Sequence, residues 1–235
     1  MHAMRAPLPG MHAVLPPIQA PLSGAAAALI GLAALAVVLL PFLWPLVEHF
    51  NVMAHEGAHA VVGTAMGFTV DRVELNIESE GATILARPAK NGPRAMLWAF
   101  AGYLGPSAFG LWAAKLIETG HVVTVLWIAV VLLVLLLFVT RNSFGVISVP
   151  AAIAALALVM RYAHSGIEEV IVYGMTWLLL LSGVRVAMSH GAGAEDARIL
   201  AGMTSVPRTI WALLWLAGTV LAVIIGGKWL VLRTG

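Results

Sequence analysis

From Val122 to Thr140 the chain carries no charged residue and almost nothing polar. An apolar run of about 18 residues or more reads as a membrane-crossing helix, because in lipid a segment must satisfy its own backbone hydrogen bonds. The same argument applies, with interruptions, to Ala25–Val47, Glu48–Phe68, Pro93–Ile117, Phe144–Met160, Glu168–Met188 and Pro207–Leu232. Composition agrees: 61% of residues are hydrophobic and 10% charged, whereas soluble domains run at about half apolar and about a quarter charged. The expectation is an all-α polytopic membrane protein of about six to seven transmembrane helices. A formal charge of +2, spread between apolar runs, gives no footprint for nucleic acid. The absence of cysteine excludes thiolate metal sites, cysteine nucleophiles and disulfides.

The chain divides into a proline-rich leader, residues 1–23, and a single transmembrane domain, residues 24–235. The leader holds Pro7, Pro9, Pro16, Pro17 and Pro21 with one arginine, Arg5, and reads as disordered or surface-lying. Ala25–Val47 outlasts the 7–15-residue core of a cleaved signal peptide, so it is expected to be retained. Pro41 and Pro45 bend or end it. Within 69–89 the period changes. Val73, Leu75 and Ile77 alternate with Arg72, Glu74, Asn76 and Glu78, the two-residue repeat of a strand with one wet face. Ser79-Glu80-Gly81 supplies a turn and Ala82–Arg87 a return strand that Pro88 ends, giving a β-hairpin. Such a hairpin is either a solvated loop or an edge that accepts an extended peptide by strand addition.

The residues with chemistry lie just before it. Asn51-Val52-Met53-Ala54-His55-Glu56-Gly57-Ala58-His59 places His-Glu-x-x-His inside an apolar segment. On a helix His55 and His59 share one face, about 6 Å apart along the axis, and can close on one metal ion, most commonly zinc. Glu56 then stands beside the ion without ligating it, placed to act as a general base. The alternative is a helix whose histidines satisfy interior hydrogen bonds; polar groups of this kind inside a span are costly and usually functional. Glu48, Glu168 and Glu169 read as first-turn carboxylates, His49 as part of a helix start and His164 as a surface histidine. Gly102-Tyr103-Leu104-Gly105-Pro106-Ser107 interrupts the third span and predicts close helix packing and a kink. Trp211, Trp215 and Trp229 are interface anchors or packing residues. With seven spans, Arg5, Arg72, Arg87, Lys90, Arg94, Arg141, Arg185, Arg198 and Arg208 fall on one side; Lys115, Arg161, Lys228 and Arg233 fall on the other. The positive-inside rule then puts the N-terminus, the hairpin and the Asp196 loop in the cytoplasm.

The apolar His55-Glu56-Gly57-Ala58-His59 helix, the hairpin after it and the span with Ala101-Gly102-Tyr103-Leu104-Gly105-Pro106 resemble the bacterial site-2-protease class of membrane zinc metallopeptidases, in their divergent M50B-like branch. Arg141-Asn142-Ser143-Phe144-Gly145, and the Asp196-Ala197 segment followed by Pro207 and Trp211, are similar too. The resemblance covers roughly residues 50–215, and only its His-Glu-x-x-His part is specific by itself. It implies an intramembrane zinc metallopeptidase of a bacterial cytoplasmic membrane, acting on membrane-protein or peptide substrates within the lipid bilayer. Zn2+ would be held by His55, His59 and a later aspartate, with Glu56 as the catalytic acid–base. The class commonly carries that aspartate in an Asn…Pro…Asp-Gly pattern, and this chain has no Asp-Gly. Of its two aspartates, Asp71 falls in the hairpin, and the resemblance points to Asp196; Glu195 and His190 are weaker substitutes. Asn142 is a candidate for holding substrate or intermediate. A divalent-metal transporter and a catalytically silent scaffold of the same fold are the other readings of these residues.

Overall fold

A computed structural model describes residues 19–89 and 92–232. The leader up to residue 18, Lys90 and Arg233 therefore lie outside the described residues. The chain folds as α1 (Gly24–Leu39), α2 (Pro45–Ala65), β1 (Val70–Leu75), β2 (Gly81–Leu85), α3 (Pro93–Glu118), α4 (Val122–Val139), α5 (Ser143–Tyr162), α6 (Ser165–His190), α7 (Glu195–Thr204) and α8 (Arg208–Val231). Of these, α4, α5, α6 and α8 are long and apolar enough to cross a membrane by themselves, and α1 is a shorter apolar helix.

The first two helices differ from expectation in their bounds. Instead of reaching Val47, α1 stops at Leu39, and α2 begins at Pro45 rather than Glu48. Both prolines act as their chemistry requires. Pro41 lacks the N–H to continue α1, while Pro45 sits in the first turn of α2, where no N–H is needed. Ser23 starts α1 by accepting a hydrogen bond from the Ala26 N–H at 3.3 Å. Arg185 of α6 ties down the other end of α1 by donating to the Val38 carbonyl, and its guanidinium lies 4.6 Å from the Trp44 ring centre.

The central helix is α3, which packs on α2, α6 and α8. The glycine–proline segment does not break it: the helix is continuous through Pro106. What the small residues provide is contact. Gly105 meets Ala58 of α2, and Ser107 meets Gly183 of α6. One core gathers Ile117, Leu126, Tyr173, Leu180 and Leu230. There the Trp177 indole N–H donates to the Ala27 carbonyl at 3.0 Å and locks α6 to α1. A second core forms where α3, α7 and α8 meet, around Ala99, Tyr103, Ala197, Leu200 and Trp215. Trp215 is fully buried, stacks on Tyr103 with ring centres 4.3 Å apart, and donates to the Phe100 carbonyl at 3.1 Å. It is a packing residue and not an interface anchor.

The hairpin pairs antiparallel, with Val73 opposite Thr83 and Leu75 opposite Gly81. Val73 and Leu75 are buried against Met53, Leu136 and Val149. The alternation ends there. Ile77, expected on the same face, lies in the turn and is 70% exposed. The far side of β1 is occupied: the Arg141 N–H donates to the Val73 carbonyl at 3.1 Å. Asn142 accepts from the Leu75 N–H at 3.1 Å and donates to the Leu75 carbonyl. The α4–α5 connection thus acts as a short third edge.

Between α2, α3, α4 and α6 lies an apolar cavity of about 620 Å³, lined among others by Met53, Gly57, Trp112, Leu133, Leu136 and Thr176. Gly57 is two positions from both His55 and His59, so the cavity faces the back of α2, away from the imidazoles.

Candidate metal centre

His55 and His59 lie one turn apart on α2, with ring centres 4.9 Å apart and planes crossed at 72°. Asp196 reaches them from the first turn of α7. Its Oδ2 is 3.1 Å from the His59 Nε2 and 3.4 Å from the His55 Nε2. One ligand atom from each of the three residues lies within 4.8 Å of the others. The amphipathic character of α7 aims the carboxylate. Ala197 and Leu200 pack into the core against α3 and α8, while Glu195 and Arg198 pair with each other in solvent. The left-handed Ser205 (φ 61°) then ends the helix before Pro207 leads into α8.

The residues present fit a metal ion. The His59 Nδ1 lies 2.9 Å from the Trp98 carbonyl, which can only accept, so this nitrogen carries the proton. That leaves Nε2 to turn its lone pair, or a second proton, toward the carboxylate. With Nε2 turning its lone pair inward, three lone-pair-bearing groups meet at one point, a donor set that suits a cation. The spacing agrees. Two ligand atoms each about 2.0–2.1 Å from a tetrahedral ion stand about 3.3 Å apart. Gly102 keeps the space open from the α3 side: a Cβ there would run into the His59 Nε2 and come within 2.5 Å of the His55 Nε2.

Glu56 is buried, with 4% exposure. Its Oε2 accepts from the Thr83 hydroxyl at 2.7 Å, and the same hydroxyl lies 3.2 Å from the Glu56 carbonyl. Gly81 also lies close to this side chain: a Cβ there would stand 2.7 Å from Oε1.

Compared against protein-family models, residues 28–226 match the model described as Peptidase M50B-like. The chain belongs to the M50B-like peptidase family. No curated protein and no solved structure matches it.

In this M50B-like chain the structure brings together His55, His59 and Asp196, with Glu56 one residue along α2. It does not bring the substitutes. Glu195 is paired with Arg198, and His190 bonds to Ser189 in solvent. Asp71 is an exposed partner of Arg72. Asn142 lies on the backbone of β1, where both ends of its amide are used by Leu75. His49, expected only at a helix start, touches the hairpin turn, with its Nδ1 3.1 Å from the Ser79 hydroxyl. Sequence reasoning passed over Gly102, Gly81, Thr83 and the Trp98 carbonyl. Gly102 had a signal, since it stood inside a segment already marked for close packing. Thr83 had none beyond its place in a strand.

Proposed function

We propose that the chain is an intramembrane zinc metallopeptidase that hydrolyses peptide bonds of membrane-associated substrates. One observation carries the reading: His55, His59 and Asp196 converge from two helices far apart in the chain, with the buried Glu56 next to His55 along α2. Membership of a peptidase family and four helices long and apolar enough to cross a membrane support it. Zinc, held by the two imidazoles and the carboxylate, would polarise the scissile carbonyl and acidify a water molecule. Glu56 takes the proton from that water and delivers it to the departing amine. Its Oε2 accepts a hydrogen bond from Thr83, which restricts rotation of the carboxylate.

The hairpin supplies a place for an extended substrate. A strand residue directs its N–H and C=O to the same side. Val73 and Leu75 direct theirs to Arg141 and Asn142, so they form the non-hydrogen-bonded pairs with Thr83 and Gly81. Gly81 and Thr83 accordingly point their own N–H and C=O to the open side of β2. A peptide unwound from its helix pairs there, beside Glu56. The Arg141 connection lies against β1, so it shares a side with the hairpin; the excess of arginine and lysine on that side supports a cytoplasmic position for both.

The test is cleavage of fluorescein-labelled β-casein by the purified full chain in detergent, with zinc content measured on the same sample. Wild type cleaves and Glu56→Gln does not, while both hold zinc. Cleavage by Glu56→Gln at the wild-type rate would remove Glu56 from the chemistry.

A further inference from the structure

Thr83 stands on β2, at the point where the candidate base meets the open strand edge. We propose that Thr83 is a positioning residue for Glu56, and that through it the strand edge which receives the substrate also sets the aim of the base. The inference rests on the peptidase reading and deepens it.

Three observations carry it. First, Glu56 is buried on α2, and among the described residues its carboxylate receives a side-chain hydrogen bond from Thr83 alone, at 2.7 Å. Of its two oxygens, Oε2 is thereby fixed. Second, Gly81, two residues away on the same face of β2, also lies against the Glu56 side chain. A Cβ at this position would stand 2.6 Å from the Glu56 Cγ and 2.7 Å from Oε1, so only glycine lets the strand come this near. The carboxylate thus rests against two positions of one strand. Third, these same two residues carry main-chain N–H and C=O groups that face the open edge. Any movement of β2 as a peptide pairs with it is delivered directly to Glu56. General-base efficiency depends on geometry before acidity, so a carboxylate free to rotate loses rate without losing substrate affinity.

Thr83→Val keeps the shape and strand preference of the side chain and removes only the donor. Thr83→Ser keeps the donor. With the zinc-loaded full chain in detergent and fluorescein-labelled β-casein as the probe, Thr83→Val lowers kcat by about tenfold or more and leaves KM within about twofold, and Thr83→Ser recovers kcat to within about threefold. Zinc content stays at the wild-type value in both. A Thr83→Val enzyme with wild-type kcat overturns the proposal. If wild type holds zinc but cleaves no casein, the peptidase reading falls separately, and thermal unfolding decides the clasp. Thr83→Val then lowers Tm in the chain with Glu56 and spares it in the Glu56→Ala chain. Equal losses of Tm in the two backgrounds overturn the clasp.

Discussion

The Nε2 of His59 and the Oδ2 of Asp196 lie 3.1 Å apart, although 137 residues separate them in the chain. Loop closure over that length is entropically costly. What holds the two together is the packing of α7 on α3 and α8 through Ala197, Leu200 and Trp215. Removing the carboxylate therefore leaves the fold and takes away the proposed third ligand. Asp196→Ala is expected to weaken zinc binding by more than the roughly 10–100-fold typical of outer-shell changes. Glu195→Ala, on the exposed face of the same helix, leaves it unchanged. Metal content after dialysis against graded zinc buffers checks both.

Gly102→Ala adds one methyl group where the imidazoles come closest to α3. The expected result is loss of bound metal, with overpacking that destabilises the chain by about 1–3 kcal/mol. Metal analysis and a thermal melt of the same variant separate the two effects.

Stripping the metal should itself lower Tm, because an ion that binds only the folded chain stabilises it by about 2.7 kcal/mol at a hundred times its Kd. A chelator scan by differential scanning fluorimetry is expected to show the fall in wild type. In His55→Ala the same scan stays flat.

Asn142→Ala removes both hydrogen bonds that close the far side of β1 at Leu75. An unsatisfied buried backbone group costs about 1–3 kcal/mol. The expected readout is faster amide hydrogen exchange at Val73 and Leu75, with zinc content retained. Lost zinc with unchanged exchange would instead put Asn142 at the metal.

Much of this was legible along the chain. Val122–Thr140 shows its helix by composition alone, and the His55–His59 pair needs only the helical repeat to meet. The period-two run announced β1 as far as Leu75. Other features arise only on folding. That Asp196 rather than Glu195 faces the histidines is decided by which side of a ten-residue helix is apolar, together with where that side packs. The glycine–proline segment of α3 announced close packing, and its small residues do meet α2 and α6, with the helix continuous through Pro106. Thr83 carries no pattern of its own, since a threonine in a strand is ordinary until a carboxylate from another element lands on it. Asn142 was readable as a polar residue at a helix boundary, and only the third dimension shows it against β1.

The seal that Thr140, Arg141 and Asn142 place along β1 has a further consequence. A sheet open at both margins can add neighbour after neighbour and lengthen into a fibre. This one has a single unsatisfied margin, so it takes one guest and stops; two copies meeting through it would close on each other and leave nothing for a third. The arrangement lets the hairpin keep a sticky border without seeding its own aggregation.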